Sequence, residues 1–500
     1  MLGSETSVRL IRKIVINQRL PAMNFRTKRF VLNLAVVMLG MSLLLFIYYG
    51  HKRHASKRWD QDAVALGPSE GNKRDQRQSS VFLDYKITGI LPPPADPTRS
   101  KVILFWAEWY KGVPWKDRFG MYDQLEKEGC PEYRCEFTYN RTRLSEADAI
   151  LFKSDDIRMD NLPSLRLPHQ RWVWVEVEAP LSQRGINAMS IADDLGSYNI
   201  NWTMSYHSSS EVIGMNGYLY TLKFPIQPLR PNLIADHRPT MSLYLQALES
   251  NTTLEAIMGP SWRSFVTRPK LVAWMSSHCP TSSRREDYVS ELQKYVHVEI
   301  FGFCGTLRCG DHTDAFGSIC WERRLRPQYL FYLTMENSLC DEYITEKLYN
   351  PLKHGLVPVV YGLSDYQKFM PPHSYINARN YHPRELGDIL TALQRDPVAY
   401  GRYHVWRGYW KAMLPGSMCE LCHRLHNDFH TGHHIDIPRW REENEKCFDA
   451  PVDMFKDESW RQVIQSEDPQ EGESIIQEDH IFALALVCLL GSALLLVFRQ

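Results

Sequence analysis

Two long apolar runs stand apart from the rest of the chain: Phe30 to Tyr49 carries no charge, and Ile481 to Phe498 carries none until Arg499. Each is close to the ~20 residues needed to cross a hydrocarbon layer, so both are expected to be membrane helices. Between them the pattern is that of a folded α/β body. Short apolar runs rich in β-branched and aromatic residues, Lys101 to Trp106, Ala149 to Phe152 and Arg171 to Val175, predict strands of a first domain ending near Arg268. A second rhythm predicts a strand at Leu271 to Met275, a helix at Arg284 to Tyr295 and a strand at Val296 to Phe301. It continues with a strand at Tyr329 to Leu333, a helix at Tyr343 to His354 stopped by Gly355, a buried strand at Val357 to Gly362 and an amphipathic helix at Arg384 to Leu393. No self-similar period of 20 to 50 residues is present, which excludes a solenoid or propeller.

The expected organisation is a tail (1–29), a signal anchor (30–49), a polar stem (50–100), two α/β domains (101–268 and 269–425), an extension (426–480) and a second span (481–498). The stem is charged, Gln- and Ser-containing and poor in aromatics, a composition that cannot bury enough surface to fold alone. Seven Lys and Arg precede the first apolar run and four follow it closely, so the positive-inside rule places the N-terminus in the cytoplasm and the domains across the membrane. A cleaved signal peptide is the competing reading, but Tyr48-Tyr49-Gly50-His51 offers no small-residue cleavage site. For the second run the competitors are a cleaved lipid-anchor signal and a helix docked on the folded body.

Charge adds little: 58 Lys and Arg balance 58 Asp and Glu, so no global field points to nucleic acid. Cysteine usage adds more. Ten of the eleven cysteines lie between the apolar runs, as do three N-glycosylation sequons at Asn140, Asn201 and Asn251, and both features agree with an oxidising lumen. Pairings are not deducible from sequence, although Cys304 with Cys309 and Cys130 with Cys135 are near enough for small loops.

Two α/β domains in tandem form a cleft in which ligands sit outside the carboxyl ends of strands. Neither G-x-G-x-x-G nor a P-loop occurs, which disfavours a nucleotide-dependent oxidoreductase and leaves side chains and a helix N-terminus to meet any diphosphate. The densest polar run is Phe331-Tyr332-Leu333-Thr334-Met335-Glu336-Asn337-Ser338, then Asp341-Glu342-Tyr343-Ile344-Thr345-Glu346-Lys347-Leu348, ending in Val357-Pro358-Val359-Val360-Tyr361-Gly362. A strand runs through a polar loop into a helix whose first turn offers free N–H groups, a positive dipole end and Lys347. From composition alone, Thr345-Glu346-Lys347 is equally an ordinary amphipathic first turn.

The order of these residues closely resembles the signature of the α1,3-fucosyltransferase family, F-Y-L-x-F-E-N-S, D-Y-I-T-E-K and V-P-V-V-x-G, with Met335 in place of the usual aromatic. The resemblance runs from about Lys101 to Cys422. It implies two Rossmann-like domains of GT-B type, with GDP-fucose as donor in the second, and no required cofactor. It assigns Asn337, Tyr343 and Glu346 to the nucleoside and fucose, Lys347 to the diphosphate, and Arg285 as a second cation, with neighbouring Arg284 leaving the register open by one residue. An arginine suits a diphosphate through its planar fork.

Inversion at the fucose carbon needs a carboxylate to take the acceptor proton. In Trp172-Val173-Trp174-Val175-Glu176-Val177-Glu178-Ala179-Pro180 a strand ends in two acids on one face, and the segment resembles the family's F-E-S-P. Glu178 is the expected base, Glu176 the second choice. After Tyr206 the family's arginine and acidic pattern give way to His207, Ser208, Ser209, Ser210 and Glu211. Cys419-Glu420-Leu421-Cys422 among several histidines reads as disulfide chemistry rather than zinc, and the only plain D-x-D, Asp60-Gln61-Asp62, lies in the stem, so no metal is expected.

The implied function is transfer of L-fucose from GDP-fucose, in α1,3 linkage, to GlcNAc of glycoprotein N-glycans. Cys304-Gly305-Thr306-Leu307-Arg308-Cys309 and Ser338-Leu339-Cys340-Asp341 lean toward the core GlcNAc. The alternatives are a Lewis-type antenna enzyme and a lumenal binding protein without catalysis. The expected place is the Golgi membrane in type II orientation, with the catalytic body lumenal.

Overall fold

The first sheet of the fold is entirely parallel, with strand order β2-β1-β3-β4-β5-β6. Its strands are β1 (Lys101–Phe105), β2 (Cys135–Thr138), β3 (Ala149–Lys153), β4 (Arg171–Glu176), β5 (Trp202–Ser205) and β6 (Val212–Ile213). The computed structural model describes residues 99–464 apart from 110–114, 116–118, 120–124, 127–129, 131, 155–156, 158–160, 183–199, 215, 225–232, 310–317, 414–417 and 428–433. Both apolar runs, and the stem up to residue 98, therefore lie outside the described residues. Among the described residues no helix is long and apolar enough to cross a membrane. All of them belong to one unit, Thr88–Gln500. Every residue of β3 and β4 is buried, the mark of a parallel sheet covered on both faces.

From the first sheet the chain forms β7 (Tyr218–Thr221) and helix α1 (Arg238–Glu249), then enters the second sheet. There β8 (Lys270–Met275) is followed by α2 (Arg285–Leu292), β9 (Val298–Phe301), β10 (Tyr329–Met335), the short β11 (Leu339–Cys340), α3 (Glu346–Lys353), β12 (Val357–Tyr361), β13 (Ile376–Asn377) and α4 (Pro383–Arg395). The second sheet, also parallel, has the order β13-β12-β10-β8-β9. Its order reverses between β8 and β10, which opens a crevice at their carboxyl ends. At that end Gly302, with φ +90, turns the chain so tightly that a Cβ there would lie 2.3 Å from the Ser276 carbonyl oxygen.

The changeover between the two bodies comes earlier than Arg268. Tyr244 and Ala247 of α1 share a core with Leu348, Tyr349 and Leu352 of α3, on the second side. The return also precedes residue 425: after β14 (Trp410–Met413), which pairs with β7, helix α5 (Met418–Asn427) buries Met418, Leu421 and Leu425 against β1, β3 and β4. Beyond it lie α6 (Ile437–Asn444) and β15 (Cys447–Phe448), which pairs with β11.

Five disulfides join Cys130 to Cys419, Cys135 to Cys422, Cys279 to Cys304, Cys309 to Cys320 and Cys340 to Cys447. The small loops anticipated for Cys130 with Cys135 and Cys304 with Cys309 do not form. The two cysteines of the C-x-x-C stretch sit one helical turn apart on α5 and each reaches a different partner on the first body.

Candidate functional site

The carboxyl end of β10 meets the start of α3 through one buried acid. Glu336, fully buried, accepts hydrogen bonds from the Thr345 amide (2.8 Å) and hydroxyl (2.9 Å), and lies 3.3 Å from the Lys347 ammonium. These bonds hold Thr345 extended as the N-cap, so α3 starts at Glu346 rather than at Tyr343. Burial pushes the Glu336 carboxyl up, while Lys347 pulls it down. Burial alone lowers the Lys347 ammonium, but the carboxylates of Glu336 and Glu346 outweigh it and hold the lysine above its ordinary value. Glu346 stands 3.5 Å from Lys347 with its side chain partly open to solvent.

Arg285 opens α2 beneath the switch point between β8 and β10. Its Nη1 donates to the Met335 carbonyl (2.6 Å) and its Nη2 to the Ser276 hydroxyl and His278 carbonyl (3.0 Å each), while the buried Nε has no hydrogen-bond partner. Burial draws its pKa down, and Glu336 opposes that. Arg284, in the left-handed region (φ 51), turns away to pair with Asp287, so the register question falls to Arg285 as the buried cation.

The first sheet contributes the two acids at the end of β4, and they part company. Glu176 is buried and folds back on its own strand end: Oε1 accepts from the amides of Val177 and Glu178 (2.8 Å each), and Oε2 accepts from the Ser154 hydroxyl. Glu178 reaches the other way, across the cleft, where its Oε2 lies 3.2 Å from the Tyr343 hydroxyl. That hydroxyl also lies 3.1 Å from Asn337 Oδ1, and with one proton it donates to one of the two at a time. Burial first, and then the Glu178 carboxylate, raise the Tyr343 pKa far enough to keep it a phenol. Tyr206 packs edge-on against the Tyr343 ring at 5.0 Å.

Glu178, Asn337 and Tyr343 are thus brought together directly, and Glu346 and Lys347 form a second cluster with Glu336 on the first turn of α3. Glu336 has no partner legible in the sequence, and only the fold brings Thr345 and Lys347 to it. The segment that departs from the family pattern is a contact between the bodies: the Ser208 amide (2.7 Å) and hydroxyl (3.0 Å) donate to Glu342, with His207 Nε2 3.9 Å from the same carboxylate. Burial lowers the His207 pKa, against the pull of Glu342.

Two sequon asparagines, Asn140 and Asn251, are exposed. Asn201 is buried, and its Oδ1 accepts from the Trp172 amide (2.8 Å) and from Arg166 (2.9 Å). A glycan on Asn201 would have to be accommodated within this buried packing. One trio of potential metal ligands, Cys135, Cys422 and His426, occurs among the described residues, but its two sulfurs are bonded to each other and His426 bonds the Arg134 carbonyl.

The chain matches the family model for the glycosyltransferase family 10 (fucosyltransferase) C-terminal region over residues 265–440 and that for the fucosyltransferase N-terminal region over 98–217. It is 32% identical to alpha-(1,3)-fucosyltransferase C of Drosophila melanogaster, over 68% of this chain and 77% of that one. It is 29% identical to GDP-fucose protein O-fucosyltransferase 3 of Bos taurus, over 56% and 53%. A crystal structure of an alpha1,3-fucosyltransferase with GDP-fucose aligns at a TM-score of 0.40 and 16% identity, covering 71% of this chain and 98% of that one. With both regions matched in order, and one relative followed over most of its length, the chain belongs to glycosyltransferase family 10, the fucosyltransferases.

Proposed function

We propose that this fucosyltransferase moves L-fucose from GDP-fucose, with inversion, in α1,3 linkage to GlcNAc of a glycoprotein N-glycan, the core GlcNAc being the favoured acceptor. The observation that carries the reading is the Tyr343 hydroxyl held between Glu178 of the first body and Asn337 of the second. That contact supports a carboxylate of the first body acting on a donor held by the second, with Arg285 and Lys347 as the proposed cations of a GT-B-type site. In the reaction, Glu178 takes the proton of the acceptor hydroxyl as that oxygen bonds to fucose C1, and the C1–O bond to the diphosphate breaks on the opposite face. Arg285 and Lys347 stabilise the charge that gathers on departing GDP. Asn337, Tyr343 and Glu346 orient the sugar and nucleoside.

Glu178 is preferred to Glu176 because the latter is consumed by its own strand end, with both oxygens hydrogen-bonded. Placement in the Golgi membrane, with the body lumenal, rests on the two apolar runs and agrees with ten cysteines paired in five disulfides.

The test is mass spectrometry of products after incubation with GDP-fucose and a panel of core N-glycans, antenna glycans and folded peptide acceptors, run beside Glu178→Gln. Fucose on core GlcNAc, lost by a hundredfold or so in the variant while GDP-fucose still binds, is the expected result. Transfer to antennae or to peptide alone reassigns the acceptor. Normal activity in Glu178→Gln with loss in Glu176→Gln reassigns the base.

A further inference from the structure

The residues just past the family match, which ends at 440, are bound into the site rather than trailing from it. Ile435 bridges to Ile200, and Ile437 of α6 is buried with Trp172 and Trp174 of β4. This aims Arg441 at the carboxyl ends of β4 and β5, where it is 1% exposed. Its Nε donates to Glu445 Oε2 (2.5 Å), whose other oxygen accepts from the Ser205 hydroxyl at the end of β5 (2.5 Å). Its Nη2 donates to the main-chain carbonyl of Glu178 (3.2 Å). Two residues after Glu445 the chain is tied to the other body: Cys447 is bonded to Cys340, the Asp341 amide donates to the Lys446 carbonyl (2.8 Å), and β15 pairs with β11. Further on, Met454 and Val463 are buried in the core of the second sheet.

One short stretch therefore grips the backbone of the acid on one side of the cleft and the loop carrying Tyr343 on the other. We propose that Arg441 is a positioning residue for fucosyl transfer: with Glu445 and the Cys340–Cys447 link it sets the main chain of Glu178 at the distance from Tyr343 that the reaction requires. This rests on the reading of Glu178 as the base. The side-chain hydrogen bonds described for α6 run to Glu178, Glu445 and its own turns, and none runs to Arg285, Glu336 or Lys347, so these donor-side charges are held separately from it.

A buried ion pair stripped of one partner destabilises the fold, whereas replacing both members by apolar residues of similar size is often neutral. That separates a strut from a positioning group. Arg441→Lys keeps the charge beside Glu445 but lacks the second arm; the double variant Arg441→Met with Glu445→Met removes both charges. On the full-length chain, kcat, GDP affinity and melting temperature are measured together. Both variants are expected to melt near the parent and to bind GDP within about twofold of it, while kcat falls roughly tenfold or more, as expected when a reacting group is misplaced. Parent-level kcat in both variants overturns the proposal, and so does loss of kcat only in proportion to loss of GDP affinity and melting temperature. Glu178→Gln is run in parallel. If it transfers normally, the base assignment fails whatever Arg441 does; if it is inactive while Arg441→Lys is normal, only the positioning role fails.

Discussion

The Tyr343 hydroxyl stands 3.2 Å from Glu178 Oε2, joining a side chain of the second body to the acid at the end of β4 in the first. Tyr343→Phe keeps the edge-on packing with Tyr206 and removes the hydroxyl that lies between Glu178 and Asn337. The expected outcome is a kcat lower by about tenfold, the size of a hydrogen bond to a charged group worth ~1.5 kcal/mol, with an unchanged melting temperature. An unaltered kcat shows that the contact does not serve transfer.

Lys347→Ala leaves the buried Glu336 without its ammonium and, on the proposed reading, the donor diphosphate with one cation fewer. GDP and GDP-fucose affinity should fall together, and the fold should lose roughly 3 kcal/mol, the range seen when one member of a buried pair is removed. Adding Glu336→Gln should restore the melting temperature but not the affinity. Recovery of both by the second change removes Lys347 from the donor site.

The same pair sets a pH dependence. Because burial raises the Glu336 carboxyl above 4.5, the folded chain holds this proton at pH values where the unfolded chain has released it. Stability from this group therefore falls as pH rises above about 4.5. Without Lys347 the carboxyl rises further, so melting of Lys347→Ala should drop more steeply with pH than the parent, and the extra slope should vanish in the double variant with Glu336→Gln. A parallel decline in all three chains contradicts the assignment.

Glycopeptide mapping should find glycans on Asn140 and Asn251 and none on Asn201. Asn201→Ala should cost about 1–3 kcal/mol, since the buried Trp172 amide loses its acceptor. Full occupancy at Asn201 in active enzyme is incompatible with the described packing.

Transfer should persist in EDTA, because the proposed donor site has Arg285 and Lys347 as its cations. Loss of activity in EDTA with rescue by manganese overturns the expectation.

The second sheet was legible in the sequence because its strands, covered on both faces, read as unbroken apolar runs such as Tyr329–Met335, all seven residues of which are buried. The start of α3 was misjudged because Glu336, ten residues upstream, decides where the helix is capped, and periodicity does not register such a bond. Arg441 and Glu445 were invisible for a different reason. A stretch reading Arg-Trp-Arg-Glu-Glu-Asn-Glu-Lys has the composition of a solvated helix, and only the placement of α6 over β4 and β5 makes two of its charges internal. Asn201 and the pairing of Cys130 with Cys419 are products of tertiary contact in the same sense.

That last bond and its neighbour close loops of 289 and 287 residues. As the chain emerges from the ribosome, the first body has its strands long before it has α5, the helix whose Met418, Leu421 and Leu425 complete its core. During that interval Cys130 and Cys135 wait as free thiols beside an open apolar face, while Cys279 with Cys304 and Cys309 with Cys320 already have their partners downstream. The first body therefore waits for a helix that follows most of the second sheet, although its own strands are the first to be synthesised, and its maturation depends on the early thiols not pairing with each other. A chain cut short before Met418 loses the stability of its first body, not merely a tail.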